Sequence, residues 1–161
     1  MARYLPALFD RLVDDSDTAR EPARGTIDGL KQSIARDLEA LLNTRTALSD
    51  EILEAYPEVA ASVANYGLVD FAGMCIASDS DQKRICAAVK LAVERHEPRL
   101  HMVTATLRVR GSGINRIDFV ISAKFRTHAR EEAVQFDAVL EQSSQQYSIR
   151  HHNGRMQTER A

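Results

Sequence analysis

The sequence predicts an α+β domain in which N-terminal helices pack on a three- to four-stranded, mainly antiparallel sheet. Two observations support this class: apolar residues recur at helical spacing up to Pro98, and they alternate with a period of two after it. The chain has 161 residues, of which 44% are hydrophobic and 27% are charged. This composition is ordinary for a folded domain and differs from that of disordered chains.

Residues 1–25 are predicted to form an N-terminal helix followed by a polar linker. Residues 14–25 are mostly charged or polar and contain Pro and Gly, which is typical of a linker. The apolar side chains of the helical part share one face: Leu5, Leu8, Phe9 and Leu12.

A strong amphipathic helix is predicted to begin after Thr26, whose hydroxyl can cap it, and to end near Asn43. Asp28 suits the first turn, where the helix dipole favours negative charge. The apolar stripe consists of Ile27, Leu30, Ile34, Leu38, Leu41 and Leu42.

Further helices are predicted between residues 46 and 98. Pro57 suits the first turn of a short helix over residues 58–64. Ser78 or Ser80 can cap a long helix, and Pro98 ends it, because the residue before a proline is pushed out of the α region. The predicted buried face of the long helix holds Ile85, Ala88, Val89, Ala92, Val93 and His96.

Three alternating segments after Pro98 predict strands, and a weaker fourth segment covers residues 146–150. The main domain therefore spans residues 26–150. Residues 151–161 show no apolar periodicity and are predicted to form a disordered tail. The residues predicted to face the core are Val103, Ala105, Leu107, Val109, Ile117, Phe119, Ile121, Ala123, Phe125, Val134, Phe136, Ala138 and Leu140.

Charge and composition argue against several classes of function. A formal net charge of −2 is unsuited to neutralising nucleic-acid phosphates or anionic membranes. No segment approaches the roughly 20 apolar residues of a membrane helix, so we expect no membrane insertion. Cys75 and Cys86 form no metal-binding pattern and are expected to be reduced, buried thiols in a cytoplasmic protein. His151 and His152 lack a converging third ligand, so we predict no metal and no cofactor.

The tripeptide Glu97-Pro98-Arg99 is the most informative local feature. Pro98 forces Glu97 into an extended conformation, in which residues two apart share a face, so Glu97 and Arg99 are expected to lie side by side. If the register of the first strand is unbroken, Arg99 also falls in phase with Val103 on the apolar face. Two interpretations stay open: a local ion pair that stabilises the joint, or a contact with a partner protein.

Four blocks of sequence resemble the TssE family of type VI secretion baseplate subunits, which is related to a wedge protein of contractile phage tails. The blocks are Leu8–Leu12, Arg36–Arg45, Ser62–Asp70 and His96–Leu100, and together the resemblance covers residues 5–150.

The resemblance keeps the Glu97-Pro98-Arg99 triad intact but departs from the family pattern at two positions. His96 replaces the usual Phe, which affects the packing of the joint, and Val69 replaces the usual Pro of a turn.

The resemblance implies a structural function without catalysis. A TssE-like protein belongs to a cytoplasmic baseplate docked at the inner membrane, together with TssF, TssG and TssK. Its fold resembles the interlocking handshake domain of the sheath proteins TssB and TssC, and it is expected to nucleate sheath polymerisation by strand addition. By the family pattern, Glu97, Pro98 and Arg99 bind partners in the wedge.

Two alternative functions follow from relatives of the same superfamily. A muramidase would need a protonated general acid, whereas Arg99 beside Glu97 favours the ionised carboxylate, and Asp37, Glu39 and Asp70 show no convergence in the sequence. A regulatory binding protein of the anti-adaptor type is the second alternative, because one fold can serve different partners.

Overall fold

The computed structural model describes residues 26–71, 73–75, 78–108, 116–126, 131–141 and 144–151. Helices precede an antiparallel sheet, which confirms the predicted α+β class. The helix and linker predicted for residues 1–25, and the tail after His151, lie outside the described residues. The helices are α1 (Ile27–Asn43), α2 (Asp50–Ala55) and α3 (Asp79–His96), with 3₁₀ helices at Pro57–Ala61 and Val63–Asn65. The strands are β1 (Leu100–Arg108), β2 (Arg116–Arg126), β3 (Glu131–Glu141) and β4 (Gln146–His151).

Helix α1 begins and ends where the sequence predicts. The Thr26 hydroxyl accepts a hydrogen bond from the backbone N–H of Gly29 at 3.2 Å, and this satisfies one of the unpaired donors of the first turn. Asp28 lies in the first turn. The predicted stripe faces the core, with its members fully or partly buried.

The segment after α2 differs from its prediction, because two 3₁₀ helices replace the single helix expected over residues 58–64. Ser62 separates them with an extended backbone (φ −86°, ψ 166°). Its hydroxyl accepts from the Ala64 N–H at 3.2 Å and donates to the Val59 carbonyl at 2.8 Å. Serine side chains that bond to nearby backbone compete with helix formation in this way.

Helix α3 confirms the predicted cap and stop. The Ser78 hydroxyl accepts from the Asp81 N–H at 3.4 Å, and the helix ends at His96, two residues before Pro98. The buried residues of α3 are Ile85, Val89, Ala92 and Val93, all within the predicted face.

The strands form one sheet in the order β1-β2-β3-β4, and each neighbouring pair is antiparallel. The weak fourth segment is therefore a real strand, and it includes His151, the residue at which the predicted tail begins. One face of the sheet joins α1 and α3 in a single hydrophobic core. Its largest fully buried side chains include Phe125, Phe136, Ile121, Leu38 and Val93.

A bulge interrupts β1 near its start. His101 lies opposite Lys124 but Thr104 lies opposite Ser122, so β1 carries one extra residue in this interval, and Met102 has a positive φ of 54°. Leu100 and Val103 consequently both face the core although they are three residues apart. The unbroken register that would place Arg99 in phase with Val103 is therefore wrong.

The two cysteines are less buried than predicted. Cys75 is exposed, and Cys86, which lies on α3, is half-buried. In the part of the chain that the structure describes, no helix is long and apolar enough to cross a membrane.

Candidate functional site: the Glu97–Arg99–Asp37 cluster

The joint between α3 and β1 holds Glu97 and Arg99 together, as the sequence predicts. Glu97 follows the last residue of α3, and its backbone N–H donates to the Val93 carbonyl at 2.9 Å. The backbone N–H and Nε of Arg99 donate to Glu97 Oε1 at 3.2 and 2.6 Å, and Arg99 Nη2 binds Glu97 Oε2. This two-pronged contact fixes the direction of the guanidinium as well as neutralising the carboxylate.

Asp37 of α1 completes the cluster from a distant part of the chain. Arg99 Nη2 also binds Asp37 Oδ2, and 62 residues separate the two in the sequence. The expectation that Asp37 converges with nothing is wrong, because the packing of α1 on the end of α3 brings it to the joint. The Arg36–Arg45 block was the one signal in the sequence that marked it.

The three side chains of the cluster differ in how far they are buried. The Glu97 side chain is 6% exposed, whereas those of Arg99 and Asp37 are 30% and 39% exposed. Burial alone lowers the pKa of Arg99, but hydrogen bonds and charges from Glu97 and then Asp37 outweigh it, and the pKa rises. Arg99 is therefore a permanent cation that is anchored on one side and open to solvent on the other.

The rings of Tyr66 and His96 are in contact with each other beside the cluster. Their ring centroids are 5.3 Å apart with the planes at 70°, an edge-to-face contact. Burial raises the pKa of Tyr66, and the charges of Asp37 and Glu97 add to this effect. His96 thus makes an aromatic contact at this position with a ring that can also be protonated.

The residues before and after Tyr66 hold it in place through the backbone. Asn65 is 5% exposed, and its side chain accepts from the Thr46 hydroxyl at 2.6 Å and donates to the Ala60 carbonyl at 3.0 Å. Leu68 exchanges backbone hydrogen bonds with the chain after α1, at 2.8 Å to Thr44 and 3.1 Å from Thr46. Three of the four sequence blocks therefore meet at this cluster.

Comparison of the sequence with models of known protein families gives a match, and it covers the residues of the cluster. The model of the family described as baseplate wedge protein gp25 matches residues 28–130. The chain belongs to the baseplate wedge protein gp25 family. The matched range runs from the first turn of α1 to the residue before β3, so it contains every residue of the cluster. No curated protein matches the chain.

Membership of the gp25 family makes this chain a structural component of a baseplate, and it confirms the resemblance found in the sequence. Glycoside hydrolysis uses two carboxyl groups about 5–9.5 Å apart with the scissile bond between them. In this gp25-family protein Asp37 and Glu97 bind the same guanidinium, so Arg99 occupies the space between the two carboxylates.

An apolar groove lies next to the cluster in this gp25-family chain. Its volume is about 450 Å³, and the residues that line it include His96, Asn65, Leu53 and Pro57. Val69, the residue that replaces the family's proline, lines it and is 45% exposed. The charged cluster and this apolar surface together provide both kinds of contact that protein interfaces use.

Proposed function

We propose that this protein is the wedge subunit of a type VI secretion baseplate that joins the wedge to the sheath and nucleates sheath polymerisation. Its partners are the baseplate proteins TssF, TssG and TssK and the sheath proteins TssB and TssC. It acts in the cytoplasm, in a complex docked at the inner membrane. The activity is assembly: the protein presents preformed surfaces on which other subunits add.

The observation that carries this proposal is the Glu97–Arg99–Asp37 cluster, where three of the sequence blocks that resemble a baseplate family meet at one partly exposed cation. Glu97 is buried and fixes the guanidinium of Arg99 through its two oxygens. A rigid, half-exposed guanidinium suits recognition of a partner's carboxylate or carbonyl groups at a defined angle. Glu97, Pro98 and Arg99 are therefore the wedge-binding residues in this proposal, and Asp37 positions Arg99.

The sheet supports the sheath part of the proposal. Strand addition needs backbone groups without a strand partner, and an antiparallel sheet with strands of unequal length provides them. β3 has 11 residues and β4 has six, so the two strands cannot match along their whole length.

The variant Arg99→Lys tests the wedge-binding site. Lysine keeps the charge that compensates Glu97 but cannot bind both carboxylates with a planar fork, so we expect a folded protein. Co-purification with TssF and TssG from native cells should fall at least about tenfold, or about 1.4 kcal/mol in binding free energy. Circular dichroism checks the fold.

Arg84→Lys is the matched control, because Arg84 lies on α3 and its side chain is 67% exposed. It should recruit the wedge as the wild type does. If Arg99→Lys remains folded, recruits TssF and TssG normally and supports sheath assembly, the cluster is a local ion pair and the site assignment is wrong.

A further inference from the structure

The apolar groove beside the cluster is lined by parts of the chain that lie far apart in the sequence. They include the residues after α1, helix α2 with the 3₁₀ helix that follows it, and the second half of α3. The apolar lining residues are Leu48, Leu53, Pro57, Ala60, Leu68, Val69, Ala88, Leu91 and Ala92. Leu91 and Val69 are each 45% exposed, so an apolar surface that covered them would be stabilised by their burial.

The sequence also carries an apolar helix face that none of the contacts above uses. Residues 5–12 lie outside the described residues, and their large apolar side chains are Leu5, Leu8, Phe9 and Leu12. These positions follow the order i, i+3, i+4 and i+7, the spacing by which an amphipathic helix binds a groove. A helix shorter than about 12–15 residues is only marginally stable alone in water. Such a segment therefore needs an apolar surface to bind.

The groove has the size that a helix face requires. Its volume of about 450 Å³ lies within the range of about 300–1,000 Å³ that is typical of binding pockets. A second apolar cavity, which Phe71, Met74 and Ile85 help to line, has a volume of about 250 Å³ and falls below this range. Because residues 5–12 present four large side chains on one face, the groove is the better fit of the two.

The groove also lies within reach of residues 5–12. Residues 13–25 connect them to the start of α1, and Asp37 lies about 15 Å further along that helix. Asp37 binds Arg99, and His96, three residues before Arg99, lines the groove. The helical rise and the width of the cluster together put the start of α1 on the order of 25 Å from the groove.

The length of residues 13–25 favours a contact within one chain. Thirteen residues span at most about 47 Å, and a chain of this length without secondary structure has an average end-to-end distance of about 20 Å. The required span lies between these two lengths. A short connection of this kind gives an effective concentration in the millimolar range. A contact with a Kd of about 0.1 mM between separate molecules would then be about 90% formed within one chain.

We propose that residues 5–12 bind as an amphipathic helix in the groove of the same chain, with their apolar face against Leu91 and Val69. This contact needs no other protein, so it goes beyond the proposed function and is tested independently of it. It brings residues 8–12, the fourth sequence block, to the Glu97–Arg99–Asp37 cluster, where the other three blocks meet.

Charges at the groove set the orientation of the bound helix. At helical spacing Arg11 falls beside the apolar face of residues 5–12. The groove is lined by an exposed carboxylate, Glu54 of α2, and by an exposed guanidinium, Arg95 of α3. Arg11 is attracted by the first and repelled by the second, so it lies on the α2 side of the groove.

A fluorescent reporter tests the contact in the full-length protein. The sequence contains no tryptophan, so the variant Phe9→Trp places a single indole on the proposed helix face. We expect its emission maximum at short wavelength, because the indole is buried in an apolar groove. In this background Leu91→Glu puts a charge into the groove and should shift the emission to that of tryptophan in water. Circular dichroism checks that the fold is kept.

Met102→Glu is the matched control, because Met102 is also an exposed apolar residue, at 66%, but lies on β1 and not among the lining residues. It should leave the emission unchanged. Leu8→Glu is a second test variant, which alters residues 5–12 and no residue of the described fold, and it should shift the emission as Leu91→Glu does. Unchanged emission in Leu91→Glu would mean that the indole is buried elsewhere and would overturn the proposal.

Dilution and added proteins distinguish the other possible occupants of the groove. The emission of Phe9→Trp should stay constant over an about 100-fold dilution, because a contact within one chain does not depend on concentration. A shift on dilution would assign the groove to a second copy of the chain. Short-wavelength emission that appears only after TssF and TssG are added would assign residues 5–12 to a partner. Either result, or the emission of tryptophan in water from the protein alone, overturns the proposal.

Discussion

Gly67 shows most directly how one residue fixes the site. Its φ is 130°, and a Cβ at this position would lie 2.7 Å from the Thr44 carbonyl oxygen, so any side chain would force the chain after α1 away. Glycine adopts a positive φ without strain and has no Cβ that would meet the Thr44 carbonyl. The backbone link between α1 and the Asn65–Leu68 segment, and with it the position of Tyr66, depends on this glycine.

We expect Gly67→Ala to lower the free energy of unfolding by about 2–3 kcal/mol through steric and conformational strain. Urea denaturation of purified protein measures this. Gly73→Ala is the control, because a Cβ there meets nothing within 4 Å, and it should change stability by less than about 0.5 kcal/mol. Equal stability of the two variants would contradict the strain at Gly67.

His96 makes the stability of the joint depend on pH. Burial lowers its pKa below the ordinary 6.5, the backbone of Asn65 opposes this, and Arg95 adds to the lowering. Between the folded-state pKa and 6.5 the unfolded chain binds more protons, so stability is complete above about pH 6.5 and falls as the pH drops through this window.

We expect His96→Phe to remove that part of the pH dependence while keeping the edge-to-face contact with Tyr66. Thermal unfolding of both proteins from about pH 5 to about pH 8 makes the comparison, since this interval covers the titration of histidine. Parallel curves for the two proteins over the whole interval would show that His96 titrates alike in the folded and unfolded states.

At the residue scale, the sequence predicted contacts between residues close together in the chain and missed contacts between residues far apart in it. Glu97 and Arg99 are two apart and separated by a proline, so their contact follows from backbone geometry alone. Asp37 reaches Arg99 only through the packing of α1, which no local rule contains. The bulge at Met102 was also invisible, because one extra residue leaves alternation intact on either side of it.

At the element scale, helix α1 makes two kinds of contact through two different faces. Its apolar stripe packs in the core, and its polar residues Glu39 and Asn43 bind the edge of β4. The helical periodicity of the apolar residues predicted the core packing. It predicted no contact for Glu39 or Asn43, because their partners lie more than 100 residues away.

We expect Asn43→Ala to cost about 1–2 kcal/mol of unfolding free energy, because it leaves the N–H and C=O of Tyr147 without their partners. Amide exchange should quicken selectively at Tyr147. Gln32→Ala, an exposed position on the same helix, is the control and should leave both quantities unchanged. Unchanged exchange at Tyr147 in Asn43→Ala would mean that the edge is closed by another group.

At the scale of the whole molecule, the fold was predictable because the change in period at Pro98 separates helices from strands. The apolar periodicity of each segment, taken alone, is enough to distinguish a helix from a strand. The unequal pairing of β3 and β4 was not predictable, since the relevant quantity is the register between two strands.

The bonds between Asn43 and Tyr147 also have a consequence for biosynthesis. The two residues are 104 positions apart, so the first helix of the described domain leaves the ribosome long before the strand that it closes. Until β4 is made, the whole side of β3 that faces it is unpaired, and a nascent chain in that state can pair with other strands. Synthesis of the last strand is thus the step that pairs this side of β3 over Phe136–Glu141.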